Sequence, residues 1–168
     1  MTVTARSCGT GPTRCTACCK TNSFEGLAKS QGVWCVHCGF GSQCRIFNRP
    51  ERPRACAEYR CGWLEGAFDE GDRPDKLKLV PDRYKITVTY QSGSTRTVII
   101  VRLAEVAEGA LQKSRSKKFV QRLLDTGHVL VLERLVPGAV VKRVEMDPRF
   151  YAKAEQVFLQ DLLLDKEF

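Results

Sequence analysis

The sequence predicts an α+β protein, with a small cysteine-rich, metal-stabilised N-terminal module followed by a ββαββα unit on an antiparallel sheet. Three observations lead there. All nine cysteines of the 168-residue chain precede Trp63, so its two parts have different chemistries. Residues 15–64 are punctuated by Gly, Pro and Cys and hold only short apolar runs, too little to offset the entropy of ordering them. From residue 84 onward the apolar period switches between two and about 3.6 residues, as strands and helices in succession require.

Taken in order, residues 1–14, with Gly9, Gly11 and Pro12, are expected as a flexible N-terminus. Residues 15–64 form the cysteine-cluster metal-binding module, with short helical pieces at 24–30 and 56–64. Residues 65–83 begin acidic, contain Pro74 and Pro81 and lack periodicity, which reads as a linker. Residues 84–168 form the α+β C-terminal domain. Its first two strands, 84–90 (YKITVTY) and 96–103 (RTVIIVRL), flank a Ser92-Gly93-Ser94 turn as a hairpin. Val106, Leu111, Phe119, Leu123 and Leu124 then space a helix over 104–124 that stops near Gly127. Two more strands, 128–134 and 139–146, surround a Pro137-Gly138 turn, and a last helix covers 148–164.

Charge and composition narrow the function classes. The formal net charge is +8, and residues 1–63 carry nine Lys/Arg against three acids. Such a surplus can mark a nucleic-acid surface. It also balances metal, because Zn²⁺ held by four thiolates carries −2 and two such sites would cancel most of the excess. The basic run at 113–118 reads as a solvated helix face, and the aromatic interleaving of a single-strand binder is missing, so nucleic acid is not an expected partner. No window holds the roughly 18 apolar residues that cross a bilayer, and the polar start lacks a secretory signal. The expected location is the cytoplasm, where reduced thiols bind metal rather than form disulfides.

The spacing of the thiols carries the chemistry. Cys15-Thr-Ala-Cys18 and Cys35-Val-His-Cys38 are separated by sixteen residues, matching the paired Cys-x-x-Cys pattern of a tetrahedral thiolate site. Two intervening residues let one turn aim both sulfurs at one ion while its backbone N–H groups donate to them. Cys19 adjoins Cys18, and neighbouring side chains diverge, so it is assigned to a second site. The eight expected ligands are Cys15, Cys18, Cys35 and Cys38 for one ion and Cys19, Cys44, Cys56 and Cys61 for another. Cys8 is left over, as a thiol in the mobile N-terminus. His37 is read as a polar residue of the knuckle turn and His128 as structural. Arg52 and Pro53 are expected to brace the loop before Cys56, and Trp34 and Trp63 to cap the cluster.

The run C15-x₂-C18-C19, W34-C35-V-H-C38, C44-R-I-F47, R52-P53-x₂-C56-x₂-Y59-x-C61-x-W63-L64 resembles the YkgJ-type (CxxCxxCC) cysteine-cluster family of zinc- or iron-chelating proteins. The resemblance covers residues 15–64. It departs where that family has a cysteine three residues before Cys15 and this chain has Pro12, and a short extension follows Phe47. The resemblance implies metal chelation without a defined reaction. Zinc is preferred over iron or an iron–sulfur cluster, because the ferredoxin C-x₂-C-x₂-C-x₃-C-P run is absent. No Walker loop, dinucleotide fingerprint, nucleophile elbow or zinc-protease motif occurs, so no catalytic residue is assigned. The expected function is structural or regulatory metal binding, with a protein partner engaged through the C-terminal domain. The alternative is an iron–sulfur redox component of an enzyme system.

Overall fold

In the computed structural model, residues 6–8, 14–24, 26–38, 43–90, 92–136 and 139–165 are described. Most of the expected flexible N-terminus (1–5 and 9–13) and the Pro137-Gly138 turn lie outside them. The chain runs through α1 (Cys18–Thr21), α2 (Arg54–Glu58), α3 (Pro74–Leu77), β1 (Leu79–Thr89), β2 (Thr95–Glu105), α4 (Ser114–Asp125), β3 (Val129–Val136), β4 (Ala139–Glu145) and α5 (Lys153–Leu164). The α+β class is as expected. The sheet is not purely antiparallel.

Its four strands lie in the order β1-β2-β3-β4, with antiparallel outer pairs and a parallel centre. The helix α4 explains the difference. It carries the chain from the end of β2 back to the start of β3, so the two strands run side by side in one direction, with Ile100 opposite Val129 and Leu103 opposite Leu132. Parallel strands are buried on both faces and read as near-continuous apolar runs. VIIV in β2 and VLVL in β3 have that character.

Each face of the sheet carries its own core. On one face Val101, Leu103, Leu130 and Leu132 meet Phe119 and Leu123 of α4, together with Leu77, Trp63 and Phe68. The Phe68 and Phe119 rings meet edge-on, 5.4 Å between centroids. On the other face Val88, Val98, Ile100, Val131 and Val144 meet Leu159 and Leu163 of α5. Gly127, the expected helix stop, takes φ +75° just past α4 and donates its N–H to Leu124 O at 2.9 Å.

Four sequence readings change. Residues 65–83 are not a bare linker: Glu70–Asp72 forms a 3₁₀ turn, α3 follows, and Leu77, Leu79 and Val80 are almost fully buried. Residues 104 and 105 extend β2 instead of starting a helix, because Glu105 is drawn inward to accept the backbone N–H groups of Leu111 (2.9 Å) and Leu135 (3.1 Å). A 3₁₀ turn at Ala110–Gln112 then precedes α4. The described residues of 24–30 make turns rather than a helix, and the expected helix at 56–64 is replaced by α2, which ends at Glu58. The last helix starts at Lys153 rather than 148. The short helices α1 and α2 lie far below the length at which an isolated helix holds itself. They depend on what surrounds them.

Candidate metal centre

Backbone hydrogen bonds gather the cysteine segments. Cys19 N–H donates to Thr16 O (2.9 Å) as α1 begins, and Cys35 N–H donates to Cys19 O (3.0 Å), clamping the two halves of the module. Cys38 N–H closes the Cys35–Cys38 knuckle onto Cys35 O at 2.9 Å, and a β-bridge joins Cys38 to Cys44. Arg52 donates to Phe47 O (3.1 Å) and Cys56 O (2.8 Å), the bracing expected of it, while Pro53 O accepts from Ala57 N (2.9 Å) in α2. Gly62 N–H donates to Pro81 O (2.7 Å), which ties the Cys61 loop to β1.

The result is a neighbourhood of thiols. Cys8, Cys15, Cys18, Cys19, Cys44, Cys56 and Cys61 line one cavity of about 40 Å³. Cys35 and Cys38 are buried against Cys19, with Cys18 and Trp34 packed beside them. Cys15 and Cys61 are electrostatic neighbours of each other and of Cys8, whereas Cys19 is hydrogen-bonded to Cys18 and Cys38 and feels Cys44. Trp34 covers the Cys19 group, and Trp63 lies buried beside Cys61 with its Nε1–H donated to Asp69 O at 3.1 Å.

Among the described residues no cysteine is in a disulfide, and no three His, Cys, Asp or Glu side chains are already drawn up as a metal-ligand set. Burial disfavours the thiolate form of Cys8, Cys15 and Cys61. Burial pushes Cys15 and Cys61 up to about 11, and the hydrogen bond with Cys18, together with burial, raises Cys19 further. A metal entering here has to displace those protons and draw the sulfurs inward, so binding and local ordering would be one event. The donor set fits a soft or borderline cation: clustered sulfur, mostly shielded from water. Burial pushes the Cys8 thiol up, and Arg14, Arg52, Arg73 and Arg60 oppose that shift, so cations stand near enough to offset thiolate charge.

Sequence reasoning missed a second feature, a buried charged triad under the module. Arg102 of β2 pairs with Asp82 of β1 at 2.7 Å and with Glu133 of β3 at 2.8 Å, all three side chains being 5% exposed or less. Three of the cysteine-bearing segments send a polar group to it. Thr21 O and Asn22 Oδ1, just after Cys18-Cys19, accept from Arg102; Gln31, ahead of Cys35, donates to Glu133; Tyr59, between Cys56 and Cys61, donates to Asp82. A cavity of about 580 Å³ opens beside the triad, walled by Phe24, Tyr59 and Tyr84. The signal was present in the sequence, as a charge at an inward position of each apolar strand (RTVIIVRLA and HVLVLER). No protein-family model, curated protein or solved structure matches this chain.

Proposed function

We propose that this is a non-catalytic metal-chelating protein of the YkgJ type, holding zinc in thiolate sites of structural or regulatory purpose. One observation carries the reading: seven cysteines from four separate stretches of the sequence line one cavity, and the remaining two are buried against one of the seven. Thiols that serve only as small apolar residues have no reason to converge in this way. The short α1 and α2 add support, because a segment so poor in regular structure gains from sulfur–metal bonds what its core cannot supply. The proposed setting is the reducing cytoplasm, where the thiols stay available to the ion. Exposed apolar residues on α5, Val157, Phe158 and Leu162, favour a protein partner on the C-terminal unit.

Elemental analysis by mass spectrometry, on protein purified without added metal, tests the reading. The expected result is about two zinc ions per chain, eight thiolates serving two four-coordinate ions. Protein that carries no metal, and whose circular dichroism and thermal melt are unchanged by exhaustive chelation under reductant, would sink it. The alternative, an iron–sulfur redox component, predicts a brown preparation absorbing near ~400 nm with a reversible reduction potential.

A further inference from the structure

The ninth cysteine, Cys8, is not stranded. Arg6, two residues before it, donates through Nη1 to Trp63 O (2.9 Å) and Phe68 O, and its Nε pairs with Glu70 at 2.8 Å. Arg73 donates to Cys8 O (3.3 Å), and Cys8 O also accepts the N–H of Cys15 at 2.6 Å. Five contacts, with Cys15, Trp63, Phe68, Glu70 and Arg73, therefore fix this short segment beside the Cys61–Trp63 loop. The Cys8 side chain is half-buried in the wall of the thiol-lined cavity, which Cys15 and Cys61 line with it.

We propose that Cys8 is a metal ligand, the third thiolate of a site shared with Cys15 and Cys61 that takes a borderline divalent cation such as Zn²⁺. The inference rests on the metal-chelating reading above and adds a ligand to it. It follows from position. A cysteine kept only as a spare thiol does not need an arginine anchor on one side and a backbone bond to a neighbouring thiol's own residue on the other. Nor does Cys8 occupy the place three residues before Cys15, where this chain has Pro12. The segment reaches the same cavity by a longer path, held by Arg6. Three thiolates leave one position of a tetrahedral ion for a further thiol of the cavity or for water.

Cobalt(II) substitution of the full chain reports ligation directly, because the thiolate-to-cobalt charge-transfer band scales with the number of bound sulfurs. Cys8→Ser is expected to weaken that band and lower retained metal at least tenfold under a competing chelator, while Cys8→His, which restores a ligand, recovers retention. In the unsubstituted zinc-loaded chain, iodoacetamide should alkylate Cys8 as slowly as Cys15 and Cys61. The proposal fails if Cys8→Ser leaves the cobalt band and retention unchanged, or if Cys8 is alkylated rapidly while Cys15 and Cys61 stay protected; metal chelation then survives without it. If the unsubstituted chain binds neither cobalt nor zinc, both readings fall together.

Discussion

Arg102 is the residue on which the most depends. Its guanidinium stands between two buried carboxylates, and its Nε–H has no hydrogen-bond partner among the described residues, so the triad is committed but not saturated. Burial pushes the Asp82 carboxyl upward despite Arg102 beside it, which shows how costly an ionised group is here. Replacing Arg102 with Met would strand two buried acids without their cation. The expected loss is about 3–5 kcal/mol of unfolding free energy, the usual cost of removing one partner from a buried pair, read by urea denaturation. Since Thr21, Asn22, Gln31 and Tyr59 lean on the same triad, metal retention should fall in the same variant although no thiol has changed. Glu155 makes a quieter case at the start of α5. Burial is the largest single influence and raises its carboxyl, but Tyr90 OH, the Ala152 N–H and Arg96 together outweigh it and hold it below the ordinary carboxylate range. A lowered folded value means its contribution is present above the unfolded pKa, about 4.3, and is lost as pH falls through the folded value. Glu155→Gln should therefore cost about 1 kcal/mol near neutrality. Thermal melts taken at successively lower pH should show the gap to the unsubstituted chain closing below pH ~4.

Among the elements, the Cys61–Trp63 loop against β1 is the tightest joint between the cysteine module and the sheet. A Cβ built on Gly62 would come within 2.6 Å of Phe68 Cε2 and 3.1 Å of Pro81 O. Neither neighbour is free to yield, since Phe68 is packed on Phe119 and Pro81 is fixed in the sheet opposite Leu103. Gly62→Ala is expected to cost about 1–3 kcal/mol, the usual cost of overpacking, and to loosen the loop that carries Cys61; differential scanning calorimetry would register it. This joint also shows why the linker reading of residues 65–83 went astray. Pro74 and Pro81 look like breakers, yet a proline is tolerated at the first helical position, where α3 uses Pro74, and on an edge strand, which β1 is. The strands from 84 to 146 were legible because β-branched residues at alternating positions leave little else to form. Both hairpins stand as expected; the parallel centre was missed because they were joined into one antiparallel sheet without regard to the α4 crossover, and the doubly buried runs of β2 and β3 were the cue. The helix over 104–109 failed for a different reason. Val106 and Leu111 fall on helical spacing by coincidence, while Glu105 turns inward to satisfy two backbone N–H groups.

At the scale of the whole molecule, the cysteine module and the sheet unit share a core, which the sequence did not reveal. Ala17, Cys61 and Trp63 are buried in one cluster with Leu79, Val101, Leu103 and Phe119, and the charged triad adds polar contacts from the opposite face. That thiols would lie near one another was partly legible from spacing, since the Cys-x-x-Cys knuckles are local. That Cys8 lines the same cavity was not, because its place there goes with two non-local contacts, Arg6 to Trp63 O and Gly62 N–H to Pro81 O. A shared core has a thermodynamic consequence. If the module were an independent bead on a linker, removing metal would melt it alone and leave the sheet with its own stability, giving two transitions. With Trp63 and Phe68 built into the core of α4, loss of the proposed sulfur–metal bonds would instead subtract from the stability of everything they pack against. Chelation under reductant should therefore lower the midpoint of a single cooperative transition, with far-ultraviolet circular dichroism, tryptophan fluorescence and calorimetry coinciding before and after. A Trp signal that melts well below the sheet signal in the chelated protein would show that the two parts are only loosely joined, and the coupling argued from Arg102 and Gly62 would have to be abandoned with it.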